Sequence, residues 1–395
     1  MTSRPRPSTS RPSETLAFAG AGFSCAVLAR ELVETGRYRA IVYDERPHVA
    51  GNAHTARDPE TGVMVHEYGP HIFHTSREDV WEYVNRWAKF GAFTNRVKAH
   101  TSRGVFSLPI NLLTINQFFR KSLSPQQARD FIGSLGDRSI REPRSFEDQA
   151  LKFLGRDLYE AFFYGYTKKQ WGVEPRELPA SILQRLPVRF NYDDNYYASK
   201  HQGIPLDGYT ALVERILDHP AIEVRLGRRF EPSATGDFAH VFWSGPIDSY
   251  FSQKAGALRY RSLEFERFVE DGDWQGNPVI NYCEESVPWT RVTEHKHFTP
   301  WEQHEKSVCF RERSKLAEGD DPLYYPLRLG SDKETLSRYA ELAEREAENV
   351  TFVGRLGTYR YLDMHAVIGE SLDLAKTLCE SAQTSTWPRF SVRPA

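Results

Sequence analysis

The chain has 395 residues, with 51 Lys+Arg against 53 Asp+Glu and a net charge of −2, a balance that excludes a broad basic surface for nucleic acid or an anionic membrane. Its length implies about two or three domains, and 40% apolar with 26% charged residues is a globular composition. Four cysteines, Cys25, Cys283, Cys309 and Cys379, lie far apart without a Cys-x-x-Cys pair, which suggests neither a disulfide framework nor a thiolate zinc site and suits a reducing cytoplasm.

The first 14 residues, rich in Arg, Pro and Ser, lack the apolar core of a secretion signal and read as a disordered tail. No later segment has the ~20 apolar residues of a membrane span. The first ordered stretch is the apolar run Leu16-Ala17-Phe18-Ala19, followed by Gly20-Ala21-Gly22-Phe23-Ser24-Cys25, a helix with Leu28, Leu32 and Val33 on its apolar face, Gly36 as its stop, and the strand Ile41-Val42-Tyr43 ending at Asp44. This is a dinucleotide-binding βαβ fingerprint. Gly20 permits the tight turn, Gly22 admits a pyrophosphate to the backbone, the helix N-terminus supplies amide donors, and Asp44 reaches a ribose hydroxyl. The third glycine, which normally permits close helix–strand packing, is Cys25, and the motif alone fits FAD or NAD.

In the segment Glu67-Tyr68-Gly69-Pro70-His71-Ile72-Phe73-His74, two histidines three apart have no carboxylate or cysteine to complete a metal set. His74 reads as structural, and His71, in a Gly-Pro turn, as a candidate for tuning a redox ring. Ser76 reads as an N-cap with Glu78 and Asp79 in the first turn. Residues 110–190 look helical, with start signals at Ser124-Pro125 and Ser145-x-x-Asp148 and a stop at Gly155. A helix over 208–218 and strands Ile222 to Leu226 and His240 to Trp243 return to α/β character. Period-two alternation through Ala257 to Phe268, Val279 to Cys283 and Thr290 to Phe298 predicts an antiparallel sheet. A helix over 333–347, the strand Val350 to Val353 and a helix from near Asp363 close the chain. The aromatic content of 13% serves core packing or stacking on a planar ligand.

This interleaving predicts an α/β fold: a Rossmann-like domain with an inserted helical domain and an antiparallel β-sheet domain. The nucleotide-binding part takes residues 15–88, 208–250 and 328–395, the helical substrate or lid domain 110–195, and the sheet domain 89–109, 196–207 and 251–327.

Eight ordered segments carry a family resemblance: Gly51-Asn52, Gly69-Pro70-His71-Ile72-Phe73-His74-Thr75, Gly165-Tyr166-Thr167-Lys168-Lys169-Gln170-Trp171-Gly172, Pro187-Val188-Arg189-Phe190, Gln202-Gly203-Ile204-Pro205, Glu294-His295-Lys296-His297-Phe298, Tyr324-Tyr325-Pro326 and Tyr361-Leu362-Asp363-Met364-His365. Together with the fingerprint they resemble the bacterial UDP-galactopyranose mutase family. The resemblance implies a cytoplasmic flavoenzyme that interconverts UDP-galactopyranose and UDP-galactofuranose without net redox change. N5 of reduced FAD attacks the anomeric carbon and expels UDP, and the sugar recloses as a five-membered ring before UDP returns. It implies an external reductant such as NAD(P)H and a homo-oligomer, with no metal, nucleic acid or membrane partner.

The resemblance also assigns residues. Arg185, on a mobile closing loop, and Arg291, from the sheet, clamp the diphosphate through planar, permanently charged forks, and with His71 they form the catalytic set. Tyr166 stacks on uracil, with Phe162 one helical turn earlier and Thr167 as a hydrogen-bonding neighbour. Trp171 lines the sugar pocket, and Asn281, Tyr325 and Tyr361 complete the substrate contacts. FAD falls to Gly20, Gly22, Phe23, Ser24, Asp44, Glu45, Gly51, Asn52, His71, Ile72, Phe230, Arg355, Asp363 and Met364. From the residues alone, Phe162 and Tyr325 read as core, and an arginine at an arbitrary position as a surface ion-pair partner. His295 and His297, on one face of an expected strand, read as sheet packing. The departures from the family pattern are Cys25, Ala50, Pro70 and Asp44. An amine-oxidase-like flavin oxidoreductase and a catalytically idle UDP-sugar or flavin binding protein are the alternatives.

Overall fold

Parallel strands buried on both faces need continuous apolar runs, and those runs assemble the first part of the molecule. The structure, a computed structural model, describes residues 14–180, 182, 188–380 and 387–394. The expected tail lies outside the described residues up to Ser13, and Glu14 opens the first strand. Two compact units result. The first takes the described parts of Met1–Gly51, Thr210–Leu258 and Lys333–Ala395, and the second those of Asn52–Tyr209 and Arg259–Asp332.

In the first unit five strands form a parallel sheet in the order Ile222–Leu226, Tyr38–Asp44, Glu14–Ala19, His240–Trp243, Val350–Phe352. Ala17 pairs with Ile41 on one side and with Val241 on the other. The first strand is therefore central and the chain reverses direction of growth beside it, the switch point where such sheets bind ligands beyond the strand ends. The crossover helix Phe23–Val33 is joined to the last helix, Met364–Glu380, where Ser371 Oγ donates to Ser24 O at 3.2 Å. Cys25 is fully buried, its Sγ 3.8 Å from Ala19 O and 3.9 Å from Phe242 O. The side chain absent from the usual third glycine thus occupies the seam between helix and sheet.

The second unit holds a seven-stranded sheet in the order Tyr325–Pro326, Tyr260–Asp271, Lys306–Leu316, Arg291–Glu294, Val279–Tyr282, Val97–Thr101, Gly104–Leu108. It is mixed rather than purely antiparallel, because Val279–Tyr282 runs parallel to Val97–Thr101. The helices Leu112–Phe119, Pro125–Leu135, Phe146–Leu154 and Gly165–Trp171 lie in the same unit as the sheet. Their physical tie is one apolar core that takes Ala99 and Phe106 from strands, Phe118, Phe146 and Phe163 from the helical segment, and Val279 from the hairpin. Residues Asn52–Trp87, expected with the nucleotide-binding part, also fall here.

Both predicted start signals are capping boxes: Ser124 with Gln127, and Ser145 with Asp148. Ser76 is not a cap. The helix Glu78–Trp87 follows an extended Arg77, and Ser76 Oγ instead accepts from Lys200 N–H at 3.2 Å. The expected strand Thr290 to Phe298 stops at Glu294 and becomes a 3-10 turn, His295–Phe298. His295 is buried against Phe298 and Phe310, whereas His297 meets Asp273 and Glu294, so the two histidines do not share a strand face. A π-helical turn, Tyr159–Tyr164, precedes Gly165–Trp171. No helix among the described residues is long and apolar enough to cross a membrane.

Candidate functional site

In the first unit the chain turns at Gly20, whose φ of +114° only glycine adopts readily; a Cβ there would lie 2.1 Å from Ser244 Oγ. Gly20 N–H donates to Tyr43 O at 2.7 Å. Asp44 closes the turn: one carboxylate oxygen accepts from Ala21 N–H at 2.8 Å and the other from Arg46 N–H at 2.9 Å. Gly22 caps the helix Phe23–Val33 in an extended conformation without any side-chain cap. A Cβ on Gly22 would meet nothing within 4 Å, and one on Gly51 only Gly22 Cα at 3.6 Å. An uncapped helix N-terminus thus opens between two glycines, which is the arrangement that takes a pyrophosphate. Ala50, at φ +73°, is anchored by its N–H to Ala21 O at 2.9 Å.

The other cofactor candidates of this unit fall into three places. Phe23 and Ser24 are buried at the helix start, and a Cβ on Gly354 would come within 2.4 Å of Ser24 Oγ. Glu45 is exposed, while Phe230 is buried against Tyr43, Phe238 and Trp243. Arg355 donates through Nε to Leu362 O at 3.0 Å and lies over the Tyr361 ring at 5.0 Å. Asp363 starts the last helix by accepting Ala366 and Val367 N–H on its carbonyl, and half-buried Met364 follows.

In the second unit the hairpin Val279–Tyr282/Arg291–Glu294 sets Asn281 directly opposite Arg291, and the next strand sets Glu312 opposite Arg291 on its other side. Arg291 Nε donates to Glu312 Oε2 at 2.7 Å, and Glu312 is only 1% exposed. Thr290 holds the Glu312 carbonyl through both its N–H and its hydroxyl. Burial works against the Arg291 charge, yet Glu312, Tyr166 and Tyr325 hold its pKa well above the ordinary value. Burial likewise pushes the Tyr166 phenol up, opposed by Arg291, so the phenol stays neutral. Among the described residues only Nε of Arg291 has a hydrogen-bond partner, which leaves both Nη groups for a ligand. Among the described residues Asn281 Oδ1 is buried without a hydrogen-bond partner. A paired cation with two Nη groups unengaged among the described residues is a geometry that takes an anion, whereas Asn281 Oδ1, an acceptor, calls for a hydroxyl or N–H donor.

Tyr166 and buried Thr167 lie on Gly165–Trp171, where Trp171 is half-buried in the last turn. Arg261, 5% exposed, secures that end by donating through Nε to Gln170 O at 3.1 Å and Ser314 Oγ at 3.0 Å. Phe162 packs into the aromatic core, 5.5 Å from Phe106 and 5.3 Å from Phe118. Tyr325 pairs with Arg261 across two strands. The turn Gly69–Pro70–His71 is tied by His71 N–H to His66 Nδ1 at 3.0 Å and by the His71 ring to Gly69 O at 2.8 Å. A Cβ on Gly69 would lie 3.6 Å from Glu312 Oε2. Behind this turn His66 is kept neutral by burial, and its N–H donates to His295 Nδ1 at 3.2 Å. His74 stacks on Tyr197 at 3.8 Å, Ile72 is core, and Asn52 Nδ2 donates to Leu323 O at 3.0 Å. Arg185 and its expected closing loop centre lie outside the described residues.

Sequence reasoning passed over Glu312, Lys169, Arg261 and His66. Glu312 sits in the alternating run Arg311-Glu312-Arg313, where nothing singles it out until strand register pairs it with Arg291.

A family model described as UDP-galactopyranose mutase matches residues 161–361, and one described as an NAD(P)-binding Rossmann-like domain matches residues 19–87. The chain is 55% identical, over 96% of its length and 99% of the relative's, to a probable UDP-galactopyranose mutase of Klebsiella pneumoniae. The chain belongs to the UDP-galactopyranose mutase family. It is thus an enzyme of the mutase class, with the Rossmann-containing fold of a flavoprotein family. Another relative, a dTDP-fucopyranose mutase of Escherichia coli, is 51% identical over 90% of this chain and 96% of its own. The crystal structure of a reduced UDP-galactopyranose mutase shares the fold, with a TM-score of 0.73, 15% identity, and 95% and 96% of the two chains covered.

Proposed function

We propose that this mutase interconverts UDP-galactopyranose and UDP-galactofuranose with reduced FAD and no net redox change. The observation that carries the reading is Arg291, fixed through Nε by buried Glu312, with both Nη groups unengaged among the described residues, beside the neutral phenol of Tyr166. Cleaving the anomeric C–O bond releases a diphosphate that gains charge in the transition state. A guanidinium already oriented by its carboxylate partner stabilises that charge without reorganising. Its charge persists through release and return of UDP. Tyr166 supplies the face for the uracil ring, Thr167, Asn281, Tyr325 and Tyr361 supply polar contacts, and Trp171 excludes water beside the sugar. Arg185 is the second cation of this proposal.

The cradle of Gly20, Gly22, Gly51 and the Phe23–Val33 N-terminus fits the pyrophosphate of FAD, with Asp44 available to a ribose beyond its backbone bonds. Bound and reduced, the flavin supplies the nucleophile N5 for the anomeric carbon. His71, held by His66, tunes this chemistry, NAD(P)H serves as reductant, and a homo-oligomer completes the proposal.

The test is anaerobic conversion of UDP-galactofuranose to UDP-galactopyranose by dithionite-reduced protein, followed by chromatography. Turnover only after reduction supports the reading. Amine oxidation with peroxide release, or a purified chain without flavin absorbance, overturns it. The 51% identity to a dTDP-fucopyranose mutase motivates a second reading, in which the base is thymine and the sugar lacks the C6 hydroxyl. Running both nucleotide sugars through the same assay separates them by kcat/KM, where one methyl group in a pocket is worth about 1–3 kcal/mol.

A further inference from the structure

Lys169 occupies an unusual environment. Its ammonium donates to four backbone carbonyls, Tyr282 O and Glu284 O at 2.8 Å and Val287 O and Trp289 O at 2.9 Å. The first belongs to the last residue of the Val279–Tyr282 strand and the other three to the connection that leads from it to Arg291. Four carbonyl dipoles converging on one point repel one another, and an ammonium with three N–H donors is what makes the arrangement stable. One helical turn earlier, on the same face, Gly165 touches the same connection: a Cβ there would lie 2.4 Å from Cys283 O and 3.0 Å from Glu285 N. The helix bearing Tyr166 and the hairpin bearing Arg291 are thereby docked at two points.

We infer that Lys169 is a positioning residue for nucleotide binding, caging the 282–289 connection so that Tyr166 and Arg291 keep one mutual geometry. The inference rests on the proposed UDP-sugar reading of that site. Lys169 touches no ligand in this role; it acts through the connection. Its neutral amine has two N–H donors and a lone pair facing carbonyl oxygens, so loss of the proton opens the cage.

The groups facing it are few. From the connection come Glu284, Glu285 and Cys283, whose thiol burial pushes up to about 12. On its own helix Lys168 is engaged by Glu174 and Glu285, and from the neighbouring strand Arg261 reaches the Lys169 carbonyl at 3.4 Å. Burial lowers the Lys169 ammonium to about 8, with the nearby thiol and carboxylates opposing that shift. UDP affinity is therefore full below about pH 8 and falls, with loss of one proton, above it.

The experiment measures UDP binding by calorimetry on flavin-loaded protein from about pH 6.5 to 9.5, for wild type, Lys169→Met and Lys169→Arg. Expected are a one-proton alkaline fall in wild type and a roughly tenfold or greater loss of affinity at pH 7 in Lys169→Met, with no alkaline fall and normal flavin content. Lys169→Arg should be intermediate and pH-independent, because a guanidinium keeps its charge but its planar fork cannot meet four converging carbonyls. Wild-type-like affinity in either variant, or an alkaline fall that survives both substitutions, overturns the inference. If Lys169→Met does not fold, the arginine variant and the wild-type profile still decide it. Failure of wild type to bind UDP would sink the UDP-sugar reading itself, which is distinct from normal UDP binding with indifferent variants.

Discussion

Under the proposed function the two units meet a ligand in opposite ways. The cradle of the first is made of backbone: three glycines, an uncapped helix and a carboxylate spent largely on amide groups. The grip of the second is made of side chains from five separated segments, among them Tyr166, Asn281, Arg291, Glu312 and Tyr325. Backbone sites fail by steric intrusion, whereas side-chain sites fail by stranding a charge or an aromatic face. The flavin and the nucleotide sugar should therefore be separable by mutation.

The largest effect falls on the grip. Arg291→Ala should cut turnover roughly 100- to 1000-fold with flavin content unchanged, and by leaving Glu312 buried without its partner should cost about 3–5 kcal/mol of stability. Adding Glu312→Gln should restore much of the stability and none of the turnover, as denaturant titration and steady-state kinetics would show. Near-normal turnover of Arg291→Ala would break the comparison. Next comes the cradle: Gly20→Ala places a Cβ on Ser244 Oγ at a φ costing about 1–3 kcal/mol, so the protein should purify largely without yellow absorbance yet still bind UDP. Loss of both ligands together would show that the two sites are not independent.

Tyr166→Ala should weaken UDP binding by about 1–3 kcal/mol, the scale of base stacking, while Tyr166→Phe stays close to wild type. A large loss in the phenylalanine variant would shift the weight from the ring to the hydroxyl. The smallest effect belongs to Cys25→Gly, which restores the common glycine. Helix propensity alone predicts a loss of only about 0.3 kcal/mol with unchanged flavin affinity, read by thermal melting. Burial pushes the Cys25 thiol up to about 12, so it should resist a thiol reagent until the protein unfolds.

The same contrast governs what could be read from residues alone. The turn at Gly20, the helix start after Gly22 and the strand end at Asp44 were legible because a tight βα turn demands particular residues at close spacing, and the capping boxes at Ser124 and Ser145 for the same local reason. Tyr166 and Arg291 became candidates only through a family resemblance, and Glu312 not at all, since their partnership exists only after strand register is set. Local rules also misled where tertiary contacts won. Ser76 is drawn away from capping by Lys200, far along the chain, and period-two alternation beyond Glu294 ends because His295 buries its ring against Phe298 and Phe310. The apolar core common to the helices and the mixed sheet was not legible, because it joins residues as far apart in sequence as Phe106, Phe163 and Val279.

The central strand Glu14–Ala19 has a consequence for how the protein is made. Its neighbour His240–Trp243 arrives late, as does Ser244, whose hydroxyl bonds Ala19 O across 225 residues. At roughly 5–20 residues per second of synthesis, the first strand waits on the order of 10–45 seconds with one apolar edge unpaired. The sheet closes only when Val350–Phe352 has left the ribosome. A nascent chain stalled before that point carries an open sheet edge next to His240–Trp243, the strand that flanks the one leading into Gly20, so firm flavin capture should follow completion of the sheet rather than accompany early translation.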